Sequence, residues 1–442
     1  MQETSRNTIL LASILSLGIL SGCGKEKQET GETADGATIL TAWAHHGKPE
    51  EWATIQDQVD RFNKSQNKIR IKLVEIAEGN YDTQVQSAAV TKKLPEILEF
   101  DGPMLANYVW KGYLKPLENV ISTNLQQKLL PSIRKQGTYR DSLYAVGAFD
   151  SGLALYGNTG MLKAVNARIP GGIDDAWTVE EFDGILKRLA KKSSKEGKKG
   201  YALDIKRDYK GEWWTYGFYA TLASAGAGLI DTREYTSAED ALNSGEAVEV
   251  MRWFKQWAQK GYIAPNTDGR AFTDKRVALS WVGHWEYPRY SDAIGNNLAL
   301  IPLPDFGHGT KTGMGSWCWG ITRNCKNTEA AAEFIEFLLS DKEILNIVRA
   351  NGAVPGTTTA VEKSDLYKPG APLHLFAEQL RKCAVPRPRT PAYPVITSAF
   401  QKALLDILDG ANVKRQLDQA VRIIDADIEE NDGYPMSSET VK

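Results

Sequence analysis

The sequence lacks an excess of either charge, because 53 Lys and Arg residues stand against 55 Asp and Glu residues and leave a formal net charge of −2. A chain without a net positive field has no general electrostatic attraction to the phosphate backbone of nucleic acid. It also lacks a long hydrophobic run: the one candidate, residues 8–20, is shorter than the about 20 residues that a membrane-spanning helix needs. Nucleic-acid binding and a polytopic membrane protein are therefore excluded.

Catalytic and metal-binding signatures are also missing. The sequence contains no HExxH, GxSxG or GxGxxG pattern and no Walker A loop. Two of its five histidines, His45 and His46, are adjacent, but neighbouring side chains on an extended segment point in opposite directions and do not share a metal ion. We therefore expect no metal ion and no cofactor, and no motif favours an enzyme.

Cysteine is rare, and the first of the four cysteines, Cys23, directly follows the apolar run. A short polar start with Arg6, an apolar core and small residues before a processing point form the layout of a secretion signal. The Leu-Ser-Gly-Cys tetrad that ends at Cys23 resembles the bacterial lipobox, whose cysteine is acylated and becomes the mature N-terminus. We predict a lipoprotein signal peptide over residues 1–22 and an exported protein that Cys23 anchors to the cell membrane, facing the periplasm or the cell exterior.

The stretch after this cysteine reads GKEKQETGETADG and contains no large aliphatic side chain. Such a segment cannot bury an apolar face. Residues 23–36 are therefore predicted to form a flexible tether between the lipid and the globular part.

Alternating strand and helix patterns follow. Residues 39–43 and 96–100 are typical of strands, residues 69–73 alternate between apolar and polar, and residues 52–62 carry apolar side chains at helical spacing. Strand-helix-strand repetition implies right-handed crossovers and a mostly parallel sheet.

Helix starts are also marked in the second half of the chain. Thr178 with Glu181 forms a capping-box pattern, and Asn327 is placed to cap the helix that follows it. The sequence therefore predicts an α/β protein throughout.

Tryptophan is abundant, with twelve residues. Indole faces stack on the C–H faces of sugars, and indole N–H groups and neighbouring carboxylates bind hydroxyls. Six tryptophans fall at predicted loop positions beside polar groups, although each of them could also be core material: Trp213, Trp214, Trp281, Trp285, Trp317 and Trp319.

A set of short motifs occurs in a fixed order from about Thr38 to Ile428. They are Leu94-Pro-Glu-Ile-Leu-Glu-Phe-Asp101, Tyr113-Leu-Lys-Pro-Leu117, Leu143-Tyr-Ala-Val146, Leu155-Tyr-Gly-Asn158, Ala176-Trp-Thr-Val-Glu-Glu-Phe182, Gly283-His-Trp285, Ile301-Pro-Leu-Pro304, Gly352-Ala-Val-Pro355 and Arg387-Pro-Arg-Thr-Pro-Ala-Tyr393. In this order the chain resembles the family 1 extracellular solute-binding proteins of bacterial ABC importers, the sugar-binding lipoproteins. Two departures are Gly157, inserted where the family has adjacent Tyr and Asn, and His284, where it usually has proline.

The resemblance implies a two-lobed, type II periplasmic-binding-protein-like fold, in which each lobe is a mostly parallel sheet flanked by helices. Three hinge crossovers, near Ala148, Gly313 and Ala353, would join the lobes. One lobe would then comprise residues 37–148 with 314–353, and the other residues 149–313 with 354–442. The resemblance further implies a monomer that delivers its ligand to ABC permease subunits.

A ligand site is expected between the lobes, because open α/β sheets bind ligands at the carboxyl ends of their strands. Tyr81 and Trp285 are predicted to stack on sugar rings, Asp101 and Asp150 to accept hydroxyl protons, and Arg387 to donate. The full set of predicted ligand-binding residues is His46, Glu50, Tyr81, Asp101, Asp150, Trp214, Trp285, Trp317 and Arg387.

The function implied is capture of a carbohydrate, a di- or oligosaccharide, without turnover. One alternative is a secreted lipoprotein enzyme that acts on glycans with a pair among Glu50, Asp101, Asp150 and Glu286. Another is a receptor for glycerol phosphate or a further polar solute, because Arg387 could pair with a phosphate.

Overall fold

The computed structural model describes residues 36–195, 197, 201–265 and 268–435. The predicted signal peptide, Cys23 and nearly all of the predicted tether lie outside these residues. Within the described part, none of the helices combines the length and the apolar character that a membrane span requires.

Strands and helices alternate along the described chain. The strands are β1 (Thr38–His46), β2 (Ile69–Ala77), β3 (Ile97–Asp101), β4 (Thr138–Tyr139), β5 (Ser142–Leu143), β6 (Ala145–Val146), β7 (Phe149–Asp150), β8 (Leu153–Asn158), β9 (Leu203–Asp204), β10 (Leu279–Gly283), β11 (Leu298–Ile301), β12 (Thr312–Gly313), β13 (Trp317–Ile321), β14 (Val354–Pro355) and β15 (Ala384–Val385). The helices are α1 (Pro49–Ser65), α2 (Tyr81–Val90), α3 (Leu105–Trp110), α4 (Thr123–Lys128), α5 (Pro131–Gly137), α6 (Thr159–Lys163), α7 (Val179–Lys195), α8 (Trp213–Tyr216), α9 (Tyr219–Ser224), α10 (Gly245–Gln259), α11 (Tyr287–Ile294), α12 (Thr328–Leu338), α13 (Asp341–Asn351), α14 (Thr358–Lys363), α15 (His374–Lys382), α16 (Tyr393–Leu408) and α17 (Val413–Glu430).

The first sheet has the strand order β2-β1-β3-β13-β6 and defines the first lobe. β1 is parallel to β2 over nine residue pairs and parallel to β3, whereas β13 is antiparallel to both β3 and β6. The apolar spacing predicted for residues 52–62 places Trp52, Ile55, Val59 and Phe62 on the buried face of α1. That face closes the core of this lobe.

The second sheet has the order β11-β8-β10-β9 and defines the second lobe. β8 is antiparallel to both of its neighbours, and only β9 and β10 are parallel. All six residues of β8 are buried. A continuous buried run of this kind fits a central strand that is covered on both faces.

Both sheets are therefore mixed, and the prediction of mostly parallel sheets is wrong in this detail. The crossover rule applies to strands of one sheet that are joined through a helix. β8 and β13 instead enter their sheets from the other lobe, through the short strands β7 and β12, and arrive in the opposite direction. Strand direction at these points is set by the passage between lobes.

Short ladders occupy the passages between the lobes. β7 pairs antiparallel with β14, so that Asp150 lies opposite Val354. β12 pairs parallel with β15, so that Gly313 lies opposite Val385. Each ladder has two residue pairs, which leaves the connection narrow.

Of the two predicted caps, one is confirmed. The backbone N–H of Glu181 donates to the Thr178 hydroxyl at 3.2 Å. α12 begins at Thr328 as expected, but the side chain of Asn327 makes no capping hydrogen bond, so that prediction is wrong. Residue type alone does not produce a cap, because the backbone conformation at the N-cap position decides whether the side chain can reach the first N–H groups of the helix.

Gly157 fills a position without room for a side chain. A Cβ atom there would lie 2.9 Å from Cδ1 of both Ile301 and Leu162. We expect Gly157→Ala to lower the free energy of unfolding by about 1–3 kcal/mol, as overpacking of a close-packed core does. Urea denaturation measures it, with Gly245→Ala as the control because no atom lies within 4 Å of a Cβ at that helix start. Equal midpoints for the two variants would contradict the steric explanation.

Candidate functional site

Two ion-pair contacts bring loops of the two lobes together and define the cleft between them. Lys48, after β1 in the first lobe, lies with Nζ 3.1 Å from Oε1 of Glu286 in the second lobe. Arg387 lies 2.7 Å from Asp101, at the end of β3, and 2.8 Å from Glu212, before α8. The cleft thus opens at the carboxyl ends of β1 and β3, as the strand-end rule predicts.

Glu286 organises the second-lobe wall of the cleft. Tyr209 donates its hydroxyl proton to Glu286 Oε1 at 2.6 Å, and the indole N–H of Trp285 donates to the Tyr209 hydroxyl oxygen at 3.1 Å. Burial raises the pKa of Glu286, but Lys206, Lys48, Arg289 and the Tyr209 hydrogen bond outweigh it and lower the pKa to about 2. An ionised Glu286 therefore fixes Tyr209, and Tyr209 fixes the edge of the Trp285 ring.

Arg387 lies between carboxylates of both lobes. Its two terminal nitrogens each donate to one oxygen of Asp101 at 2.7 Å, a bidentate pair, and its guanidinium stacks 4.8 Å above the Tyr216 ring. Burial opposes the charge, but Asp101, Tyr393 and Glu212 raise the pKa of Arg387, so it stays protonated. Burial in turn raises the pKa of Glu212, which Arg387 opposes.

His45 stacks on Trp317 in the wall formed by the first lobe. Their ring centroids are 3.7 Å apart and the ring planes differ by 2°. Nδ1 of His45 lies 2.8 Å from Glu99 Oε2, and Nε2 lies 3.9 Å from Glu51. The glycine at position 47 leaves space for this arrangement, because a Cβ there would lie 2.9 Å from His45 Nε2.

The carboxylates around His45 keep it charged. Burial lowers its pKa, but the charge and hydrogen bond of Glu99 and the charges of Glu51 and Glu78 outweigh burial and raise the pKa to about 9. His284, on the second lobe, has no such neighbours: burial lowers its pKa to about 4 in spite of the hydrogen bond to the Asn351 carbonyl. At neutral pH the cleft therefore has one charged and one neutral buried histidine.

Four of the predicted site residues meet at the cleft. Trp285 and Trp317 are partly exposed there, and Asp101 and Arg387 form the interlobe ion pair. His46 lies on the other face of β1 from His45, with its ring against Glu75. Among the described contacts, neither His46 nor the exposed Glu50 of α1 touches these four residues.

Three further predicted residues are buried against protein groups. Tyr81 is 2% exposed and packs with its ring edge-on to the ring of Trp317. Trp214 is 3% exposed and stacks on Phe218. Asp150 is fully buried and accepts hydrogen bonds from the backbone N–H groups of Ser151 and Gly315. Asp150 is buried because it belongs to the β7–β14 ladder between the lobes.

Several tryptophans assigned to loops lie in regular structure. Trp281 is in β10 and Trp319 in β13, both buried, and Trp213 and Trp214 lie in the short helix α8. The indole N–H of Trp281 donates to the Gly217 carbonyl at 3.0 Å. Polar residues next to a tryptophan in the sequence therefore do not predict that its ring is exposed. The indole N–H of a buried tryptophan can donate a hydrogen bond to a group that is distant in the sequence.

The predicted set of binding residues omits four residues that shape the cleft, although the strand end at residues 45–50 contains the first two: His45, Lys48, Tyr209 and Glu212. Tyr209 and Glu212 lie in the polar loop before Trp213, where Gly211 has a φ of +61°. Such a glycine signals a turn that aims its neighbours. The glycine in this loop was therefore the sequence feature that could have indicated Tyr209 and Glu212 as cleft residues.

Two cavities among the described residues lie outside the cleft. One of about 210 Å³ is lined by Trp253, Phe306 and four carboxylates, and one of about 480 Å³ lies beside Lys187 and Tyr262, both on the second lobe. Within the same residues, no group of His, Cys, Asp and Glu is arranged to hold a metal ion.

Comparison with known families identifies the class of protein. The family model for bacterial extracellular solute-binding proteins matches residues 57–372. This chain belongs to the bacterial extracellular solute-binding proteins.

Individual relatives are distant. An uncharacterized lipoprotein of Streptomyces antibioticus is 21% identical over 375 residues, 82% of this chain and 79% of that protein. A maltooligosaccharide ABC transporter solute-binding lipoprotein of Streptococcus pneumoniae is 24% identical over 269 residues, which cover 58% of this chain and 59% of that protein.

Solved structures show the same fold. The GacH receptor of Streptomyces glaucescens, solved unliganded and with acarbose, superposes with a TM-score of 0.73 at 20% identity, over 89% of this chain and 97% of that one. An ABC substrate-binding protein of Listeria monocytogenes in complex with cycloalternan has a TM-score of 0.74 at 17% identity, over 89% and 99%. The predicted two-lobed, type II fold is confirmed.

The raised pKa of His45 predicts a fall in stability above neutral pH. Its contribution is fully present below the unfolded pKa of 6.5 and is lost as pH rises through the folded pKa of about 9. Two and a half pKa units correspond to about 3 kcal/mol. We expect urea denaturation of the protein to show a loss of this order between pH 6.5 and 9.5, and His45→Gln to flatten the profile. The same slope in both proteins would contradict the assignment.

Proposed function

We propose that this protein is the membrane-anchored solute-binding component of an ABC importer, which captures a carbohydrate in the cleft and delivers it to permease subunits. The observation that carries the proposal is a partly exposed tryptophan on each wall of one cleft, Trp317 and Trp285, with the carboxylates Asp101 and Glu212 nearby. Indole faces and hydroxyl-binding carboxylates are what a sugar requires.

The charges of the cleft favour a neutral ligand. Arg387 is already held by Asp101 in a bidentate pair and by Glu212, and Lys48 is held by Glu286. A phosphate would have to displace a buried ion pair to reach Arg387, which leaves a carboxylate unpaired at a cost of several kcal/mol. We therefore favour a carbohydrate over glycerol phosphate.

The names of relatives support an oligosaccharide. The streptococcal relative is a maltooligosaccharide-binding lipoprotein, and structural neighbours were solved with maltotriose, with cycloalternan and with acarbose. We assign Trp285 and Trp317 to stacking, and Asp101 and Glu212 to hydroxyl contacts. Tyr81, Trp214 and Asp150 are assigned to support of this site.

The proposal also fixes the parts of the molecule. Residues 37–148 with 314–353 form one lobe and residues 149–313 with 354–442 the other, in line with the strands that pass through β7, β12 and β14. The protein acts as a monomer, exported and anchored by lipid on Cys23. Two relatives named as lipoproteins support the anchor.

Ligand titration tests the proposal. Isothermal calorimetry with maltose, maltotriose, a cyclic oligosaccharide and glycerol 3-phosphate should give heat with a saccharide and none with the phosphate ester. A saccharide at 100 times its Kd should add about 2.7 kcal/mol of stability. Chromatography of the same mixtures should recover the saccharide intact, whereas its conversion would favour the enzyme. Binding of only the phosphate ester would contradict the proposal.

Trp285 should be the principal binding residue of the second lobe. Loss of a stacking anchor costs about 2 kcal/mol or more, so Trp285→Ala is expected to weaken saccharide binding by roughly 30-fold or more. Its urea midpoint should change little, because the ring is partly exposed. Trp253→Ala, a partly buried tryptophan outside the cleft, serves as the control and should leave Kd unchanged. A large fall in midpoint with unchanged Kd would assign Trp285 to the core.

Cys23 should be the site of lipid attachment. Replacing it with serine removes the thiol that is acylated, so Cys23→Ser is expected to move the protein from the membrane pellet to the soluble fraction. Fractionation and intact-mass measurement check this, with Cys325→Ser as the control. A variant that stays in the pellet at unchanged mass would contradict the anchor.

A further inference from the structure

We propose that His45 is a positioning residue for ligand binding: it holds the Trp317 ring as a fixed platform on which a sugar ring stacks. This inference rests on the proposed function and deepens it, because it assigns the first-lobe half of the site to a pair of stacked rings. The strand-end rule marks the segment that contains His45 but assigns this side chain no role; it is 3% exposed and contacts the cleft through Trp317.

The geometry fixes which part of Trp317 a ligand can reach. One face of the ring is covered by the parallel His45 ring at 3.7 Å, and its edge is met by Tyr81 at 5.2 Å and 74°. Trp317 nevertheless remains partly exposed, and it lies opposite Asp101 in the sheet, at the cleft end of β3. We assign the face opposite His45 to the sugar ring, beside the Asp101 carboxylate that we assign to a sugar hydroxyl.

Three elements hold the His45 ring: β3 through Glu99, α1 through Glu51 and β13 through Trp317. Glu99 Oε2 accepts from both the backbone N–H of His45 at 3.1 Å and Nδ1 at 2.8 Å. Glu51 lies beside Nε2 and is itself held by Asn351, whose side-chain N–H donates to it at 2.8 Å. A platform that is already rigid loses little side-chain entropy when a ligand stacks on it.

The charge on His45 adds to the stack. Glu99 faces it from β3, Glu51 from α1 and Glu78 from the turn before α2, and Trp317 faces it from β13. These carboxylates raise the pKa of His45 to about 9, so an imidazolium lies against the indole face at neutral pH. A cation over an aromatic face is attracted by the ring quadrupole. Deprotonation should therefore loosen the pair.

The adjacent histidines supply a matched pair of variants. His45→Gln keeps a side-chain donor for Glu99 but removes the stacked ring and the charge. His46→Gln changes the neighbouring residue, which lies on the other face of β1 against Glu75. We expect His45→Gln to weaken saccharide binding by about 3- to 10-fold, the range that ordering one freed side chain on binding spans, because the Trp317 ring would no longer be fixed before the ligand arrives. His46→Gln should leave Kd unchanged.

A mutant cycle separates positioning from a general structural role. In the Trp317→Leu background, the additional effect of His45→Gln on Kd should shrink to less than twofold, because no aromatic platform remains for it to position. An effect of His45→Gln that is equally large with and without Trp317 would overturn the proposal. No effect on Kd in the Trp317 protein would also overturn it.

A second measurement needs no ligand. In protein labelled with 5-fluorotryptophan, the ¹⁹F resonance that disappears in Trp317→Phe reports on this ring. It should titrate with an apparent pKa near 9 and shift in His45→Gln, where the titration should be absent. A ¹⁹F chemical shift that changes neither with pH nor in His45→Gln would overturn the positioning role, even if no saccharide binds. Absence of saccharide binding with a normal ¹⁹F titration would instead contradict the proposed function alone.

Discussion

A buried arginine shared by two lobes is the interaction on which the site depends. Arg387 pairs with Asp101 at the end of a first-lobe strand and with Glu212 before a second-lobe helix, and it stacks on Tyr216. Removing one partner from a buried pair typically costs about 3–5 kcal/mol, because the other charge is left without compensation. The Arg387–Asp101 ion pair therefore stabilises the observed placement of the two cleft walls relative to each other. Lys48 and Glu286 make the second such link, at the Trp285 wall.

The fold was predictable where local pattern and packing agree. Apolar spacing in residues 52–62 produced the buried face of α1, and the alternation at residues 69–73 produced β2. Strand direction in the second lobe was not predictable. β8 is antiparallel to β10, and β10 lies more than a hundred residues further along the chain. Such pairing is a tertiary property, and no local periodicity encodes it.

The site was predictable in part for a similar reason. The strand-end rule found Asp101, and the search for exposed aromatics found Trp285 and Trp317, because position in a sheet follows from chain order. Burial does not follow from it. Asp150 lies in the β7–β14 ladder between the lobes and Trp214 lies against Phe218, while the surroundings of His45 include Glu99 and Glu51 from two other elements. Only the assembled fold distinguishes these cases.

The direction of β1 has a consequence for how the molecule can be held. The strand runs nine residues from Thr38 to His46, about 30 Å, and its cleft end is the carboxyl end. The chain therefore enters the first lobe on the side away from the cleft. A force applied at the N-terminal end of β1 would act on the first lobe at the end of the strand that is remote from the cleft. A link attached at that end and a ligand in the cleft would therefore lie at opposite ends of the first-lobe sheet.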